Sequence, residues 1–232
     1  MLRIGHRGAA GTCPENTLAA YRRAVELGCD GIELDIHRTR DGHLVVIHDF
    51  FLNATTTGHG LIRDLTLADV KAADAGVRKG EQFAGERVPT LEEVLDALPE
   101  QMTIFVELKA GSMIYPGIEA DLLALLERKA AMHRVQVSSF DHQGLAQLHQ
   151  LAPDLPLGML YSENLLDAVG MAEAIGCSAL HPLFLWVTPM LIQAAHAAGM
   201  QVNTWTINEP PFIAQYRAMG VDGIMSDFPE RL

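Results

Sequence analysis

A closed α/β barrel, with eight parallel strands each followed by a helix, is predicted by three observations. The first is a rhythm in which a helical stretch runs out at a glycine and a strand begins a few residues later. Val25-Glu26-Leu27-Gly28 leads into the strand holding Glu33, and Glu173-Ala174-Ile175-Gly176 leads into Ala179-Leu180-His181-Pro182. Ala195-His196-Ala197-Ala198-Gly199 and Arg217-Ala218-Met219-Gly220 lead into Gln201-Val202-Asn203-Thr204 and Gly223-Ile224-Met225-Ser226 in the same way. Alternating strands and helices imply a parallel sheet. The second observation is the count. Strands ending near Arg7, His37, Lys109, Phe140, Tyr161, Pro182, Thr206 and Asp227 make eight, if Leu44 to His48 is an antiparallel return from the second. The third is size: 232 residues, 49% of them hydrophobic, fit one α/β domain with a large core. Eight such units in this length fit a TIM-type (β/α)8 barrel spanning residues 1–232, with a small insert at about 50–87. A doubly wound open sheet is the alternative, but no Gly-rich dinucleotide fingerprint follows the first strand.

Composition narrows the function. A net charge of −12 argues against a nucleic-acid surface. It leaves room for an anionic small molecule, because a local cluster of cations can override the global field. No apolar run approaches the roughly 18 residues that a membrane span needs. The first strand is expected to begin at about Leu2, so no signal peptide is expected ahead of it. Cys13, Cys29 and Cys177 are few, odd in number and not in metal-like spacing, so a reduced, cytoplasmic setting is expected.

Taken in order, Leu2 to Gly8 reads as a short strand with a polar tip, His6 and Arg7. In a barrel of this kind the strand ends carry the chemistry. Asn16 or Thr17 is the expected N-cap of a helix from Leu18 to Leu27, with Gly28 as its stop. The next strand alternates Ile32, Leu34 and Ile36 with Glu33, Asp35 and His37, which puts the polar side chains on one face. Asp41-Gly42 is a two-residue hairpin signal. With that turn, His48 pairs with Asp35 and joins Glu33 and Asp35 on one face. An exposed amphipathic hairpin is the bland alternative. A sheet covered by helices, however, has no wet face except the barrel mouth, and charges are rarely buried without a partner.

The insert at 50–87 is expected to lie over the mouth and to influence substrate choice, with a short helix from Leu67 to Ala75 capped by Thr66 and Asp69. Thr90 and Glu93 form a capping box for a helix to about Leu98. The strand Met102 to Lys109 presents Glu107 and Lys109 on one face, a surface pair or else a third acid and an anion clamp. Thr188-Pro189 is a fitting N-cap and first turn for a helix to Ala198.

His6-Arg7-Gly8, Pro14-Glu15-Asn16-Thr17, Glu33-x-Asp35, His48-Asp49 and Glu107-x-Lys109, together with Ser138-Ser139-Phe140, Val202 to Thr206 and Gly220 to Asp227, resemble the glycerophosphodiester phosphodiesterase family. The resemblance runs from residue 4 to about residue 229. It implies a TIM barrel that cleaves glycerophosphodiesters to glycerol 3-phosphate and an alcohol. It implies Glu33, Asp35 and Glu107 as ligands of a divalent metal, His6 and His48 as the acid/base pair, and Arg7 and Lys109 as phosphate-binding cations. Glu15 is implied behind them, holding Arg7 or a metal-bound water, and Phe140 and Trp205 match positions lining the pocket. Three carboxylates suit a hard cation, Mg²⁺ or Ca²⁺. Two imidazoles suit proton transfer near neutral pH. A barrel phosphodiesterase acting on lysophospholipids and a non-catalytic anion-binding barrel are the alternatives. His181 is a further candidate for the mouth, Asp227 for a loop cap or the surroundings of the metal. His59, His133, His142, His149 and His196 are expected at the surface.

Overall fold

A computed structural model describes all residues, 1–232. In chain order the elements are β1 (Leu2–Gly5), α1 (Leu18–Glu26), β2 (Gly31–Arg38), β3 (Leu44–Val46), α2 (Leu67–Ala72), α3 (Leu91–Ala97) and β4 (Thr103–Leu108). They continue with α4 (Gly111–Ile114), α5 (Ile118–Arg128), β5 (Val135–Ser139), α6 (His142–Leu151), β6 (Leu157–Tyr161) and α7 (Ala168–Ala174). The last are β7 (Ala179–Pro182), α8 (Pro189–Ala197), β8 (Gln201–Thr204), α9 (Pro210–Met219) and β9 (Gly223–Ser226). The sheet runs β1-β9-β8-β7-β6-β5-β4-β2, and pairing of β1 with β2 closes it. Every pairing around the ring is parallel, and β3 alone is antiparallel, on β2. The fold is therefore the eight-stranded barrel that the strand count predicts.

The helix ends follow their local signals. Thr17 caps α1, Thr66 and Thr90 close capping boxes with Asp69 and Glu93, and Thr188 caps α8 ahead of Pro189. The short α2 stops at Ala72 rather than Ala75, because Asp74 turns back to accept backbone N–H groups from Gly76, Val77 and Gly85.

The barrel's main core lies between strands and helices, where Ile32, Leu34, Ile36, Ile104, Val106 and Leu108 meet helix residues such as Tyr21, Leu91 and Leu122. Inside the ring the apolar filling is small, Ile4, Phe105 and Met225, so the remaining interior positions are free for polar side chains. The insert has its own apolar cluster, in which Leu52, Ile62 and Val70 pack on Val45 and Ile47 at the base of the hairpin. It touches the barrel mouth through Phe50, edge-on to His37 at 4.8 Å, and through Lys79, whose Nζ donates to the Ala10 carbonyl at 2.7 Å.

The hairpin turn differs from the sequence expectation by one residue. Pairs Ile36–Val46, His37–Val45 and Arg38–Leu44 leave Arg40, Asp41 and Gly42 as a three-residue loop closed by Thr39 and His43. Only Gly42 takes a positive φ, of 87°. Asp41 keeps ordinary backbone geometry and accepts a bond from the Leu67 N–H at 2.9 Å, so it serves the start of α2 instead of a type I′ turn. The register therefore sets Asp35 against Ile47, not His48. Strict alternation would then send His48 to the outer face. The strand ends at Val46, and the chain leaves the ladder before His48 is reached.

Candidate active site

Glu33, Asp35 and His37 line the inner side of β2, and Glu107 stands beside Asp35 on β4, its direct parallel partner. Neighbouring strands in register place their inward side chains in one layer. Carboxylate oxygens of Glu33, Asp35 and Glu107 lie within 4.8 Å of one another, and all three residues are buried. Lys109, one step past β4, reaches Asp35 Oδ1 at 2.9 Å and Glu107 Oε1 at 2.5 Å.

The tip of β1 supplies the facing wall. Arg7 has a φ of 51°, which turns its backbone N–H onto Glu33 Oε2 at 3.0 Å. Its Nη1 donates to Glu15 Oε1 at 2.8 Å, and its Nε lies 3.5 Å from Asp35 Oδ2. Glu15 thus fixes Arg7, one of the two places expected for it. His6 Nε2 lies 3.9 Å from Glu33 Oε2. Its Nδ1 sits 2.6 Å from Asp227 Oδ1, and a carboxylate can only accept, so Nδ1 carries the hydrogen and Nε2 is left toward the acids. Asp227 is itself held by Asn208, whose Nδ2 donates to Oδ2 at 2.7 Å.

His48 reaches the same cavity by a different support. His37 Nε2 bonds the His48 carbonyl at 3.0 Å, so Nε2 is the protonated nitrogen and Nδ1 accepts from the Tyr115 hydroxyl at 2.6 Å. Burial holds His37 down at about 4, so this ring stays neutral and keeps both bonds. Asp35 is fixed by Asn16, whose Nδ2 donates at 2.8 Å while Tyr21 donates to its Oδ1. Asn16 is therefore not the cap of α1.

A cavity of about 60 Å³ brings together His6, Arg7, Glu33, His48, Glu107, Lys109, Phe140 and Trp205. Phe140 and Trp205 meet edge-to-face at 5.7 Å, and Trp205 Nε1 donates to the His181 carbonyl. His181 does not reach the mouth. It is fully buried between Gln136 and Asn203, and burial holds it near 3. His142 and His149 are only partly exposed, whereas His59, His133 and His196 lie at the surface. Volume alone does not locate the site. A cavity of about 340 Å³ lies by Gly42 and α5, where Arg128 and Glu92 neutralise each other at 2.6 Å.

The donor set fits a hard divalent cation. Burial, with Asp35 and Glu107 nearby, pushes Glu33 well above the carboxylate range, and burial with Asp35 pushes Glu107 up to about 7. Burial opposes ionisation of Asp35 too, but Lys109 and Arg7 prevail and hold it low. Two cations thus satisfy one of three buried acids, and additional positive charge is what this cluster lacks.

Three comparisons agree with this geometry. Residues 6–231 match the model of the glycerophosphoryl diester phosphodiesterase family. A glycerophosphodiester phosphodiesterase from Caldanaerobacter subterraneus subsp. tengcongensis is 42% identical over 230 residues, covering 99% of this chain and 95% of that protein. One from Bacillus altitudinis is 38% identical, over 98% of this chain and 95% of that protein. An Oleispira antarctica phosphodiesterase, solved with the product sn-glycerol-3-phosphate, superposes with a TM-score of 0.89 at 31% identity, over 98% of this chain and 93% of that chain. The chain belongs to the glycerophosphoryl diester phosphodiesterase family and is an enzyme of that class, not a non-catalytic barrel.

Proposed function

We propose that the enzyme hydrolyses glycerophosphodiesters such as glycerophosphocholine or glycerophosphoethanolamine to glycerol 3-phosphate and an alcohol, with Glu33, Asp35 and Glu107 holding Mg²⁺ or Ca²⁺. The observation that carries this is the buried acid triad, whose Glu33 and Glu107 line one cavity with His6 and His48. A bound cation would supply positive charge against the non-bridging oxygens of the phosphate. Arg7 and Lys109 add fixed positive charge beside the same oxygens, where it is worth most as negative charge grows in the transition state. His48 takes the proton from the attacking glycerol 2-hydroxyl, and His6 gives one to the departing alkoxide. Water then opens the cyclic phosphate, with the two rings in exchanged roles. Phe140 and Trp205 shape the apolar side of the pocket. The whole chain serves as one catalytic domain, with the insert at 50–87 as part of its mouth. The three unpaired cysteines suit a reduced, cytoplasmic setting.

A panel of diesters assayed with Mg²⁺, Ca²⁺ and chelator, following glycerol 3-phosphate, tests this reading. Hydrolysis lost to chelator and restored by one of the cations is expected. Turnover indifferent to chelator would remove the metal from the proposal.

Asp227 serves as the positioning residue for His6. Asp227→Asn is expected to lower kcat by about 10²-fold with KM little changed, the low end of what general acid–base catalysis supplies. Asp227→Glu, which restores the carboxylate, recovers part of the loss. Equal losses in both variants with a lowered Tm would mark Asp227 as structural only.

A further inference from the structure

We propose that the groove beside the catalytic cavity receives the alcohol esterified to the phosphate, and that it favours alcohols carrying an apolar chain over small polar ones. This rests on the hydrolytic reading above and adds a substrate class to it.

Two hollows share Glu107, Lys109 and Phe140 as a common wall. The inner one, under the imidazoles, measures only about 60 Å³, whereas the outer groove measures about 450 Å³. A diester has an organic group on each side of its phosphorus. If the inner hollow takes the phosphoryl end, the second group must leave through a neighbouring space, and the groove adjoins it at Glu107, Lys109 and Phe140. At about 450 Å³ it falls within the usual range of ligand sites.

The groove walls say what that group is. Phe50 from the insert, Leu108 at the end of β4, Ala110 just past it, Met113 and Ile114 on α4, and Phe140 after β5 line it. Met113 is 84% exposed, Phe140 45% and Phe50 37%, so apolar surface is gathered here rather than scattered. The polar groups are few and mostly engaged. Lys109 and Glu107 face each other at the inner end, and Asp141 caps α6 by accepting from the Gln143 and Gly144 N–H groups. An alkyl chain gains from such walls, whereas a hydrated hydroxyl or ammonium group loses water without a new partner.

The test uses the full chain with its activating cation and a series of glycerophosphoalkanols from methyl to hexyl, with glycerophosphocholine alongside. Each methylene added is expected to raise kcat/KM by about two- to fourfold. Met113→Glu should flatten this dependence and Met113→Ala should weaken it. Met113 is too exposed for either change to disturb folding. Hydrolysis of the methyl ester with no rise along the series would overturn the groove assignment while leaving the hydrolytic reading standing. A preference for the choline ester over the hexyl ester would overturn it in favour of a cationic alcohol. Failure to hydrolyse even the methyl ester would sink the hydrolytic reading, and the groove assignment with it.

Discussion

Glu33→Gln is expected to reduce hydrolysis by on the order of 10³-fold while making the metal-free protein more stable. The two effects have one cause. Glu33 is buried beside Asp35 and Glu107, and its carboxyl group keeps its proton well above the ordinary value of 4.5. The unfolded chain releases that proton near the ordinary value. Over the interval between, the folded state binds the extra proton, so stability falls as pH rises, by about 1.4 kcal/mol per pH unit for one such group. Gln carries no titrating proton and can still accept from the Arg7 N–H, so it removes that slope. His37 and His181 titrate in the opposite sense, but only between their lowered values, about 4 and about 3, and the ordinary 6.5. Both proteins carry these histidines, so the difference between them isolates Glu33. Urea unfolding in chelator from about pH 5 upward should show the wild type losing stability relative to Glu33→Gln. Cation should restore stability to the wild type by binding the folded state alone. A Glu33→Gln protein that is less stable than wild type in chelator, and still gains as much from cation, would take Glu33 out of the metal set.

His6→Ala and His48→Ala are each expected to lower turnover by about 10²–10⁴-fold with the fold intact. In the mechanism proposed above, their supports suit them to different work. Burial, followed by Lys109 and Arg7, holds His48 below its ordinary value in the neutral form that a base needs, although Asp35 pulls the other way. His6 has a carboxylate behind Nδ1, the arrangement that steadies a ring while its far nitrogen passes a proton. The leaving group separates the roles. A diester whose alcohol is nitrophenol departs without a proton, so it should recover most of the loss in His6→Ala and little of the loss in His48→Ala. The reverse pattern would exchange the two assignments. Near-normal turnover in either variant, on purified folded protein with glycerophosphocholine, would remove that residue from the mechanism.

Much of this architecture was legible one residue at a time. The alternation of Glu33, Asp35 and His37 with Ile32, Leu34 and Ile36 needs only the period of a strand, and β2 shows it. The capping residues Thr66, Thr90 and Thr188 act on N–H groups three positions away, so sequence proximity was enough. The hairpin register departs from the Asp-Gly expectation because Asp41 accepts from the Leu67 N–H, 26 residues on, and that contact outweighs the turn preference. Of the two caps that spacing offers for α1, Thr17 takes the role, because Asn16 is held by Asp35, 19 residues away. Asp227 drew notice, but its bond to His6 spans 221 residues and joins the two ends of the ring.

The sequence by itself determined the barrel, the polar face of β2 and the capped helix starts, because each is written in spacing or in neighbours along the chain. Only the tertiary structure decided which carboxylate steadies which imidazole, that His181 faces inward, and that an apolar groove adjoins the acids. Those depend on which strand ends meet when the ring closes, and closure brings together side chains that no local preference relates.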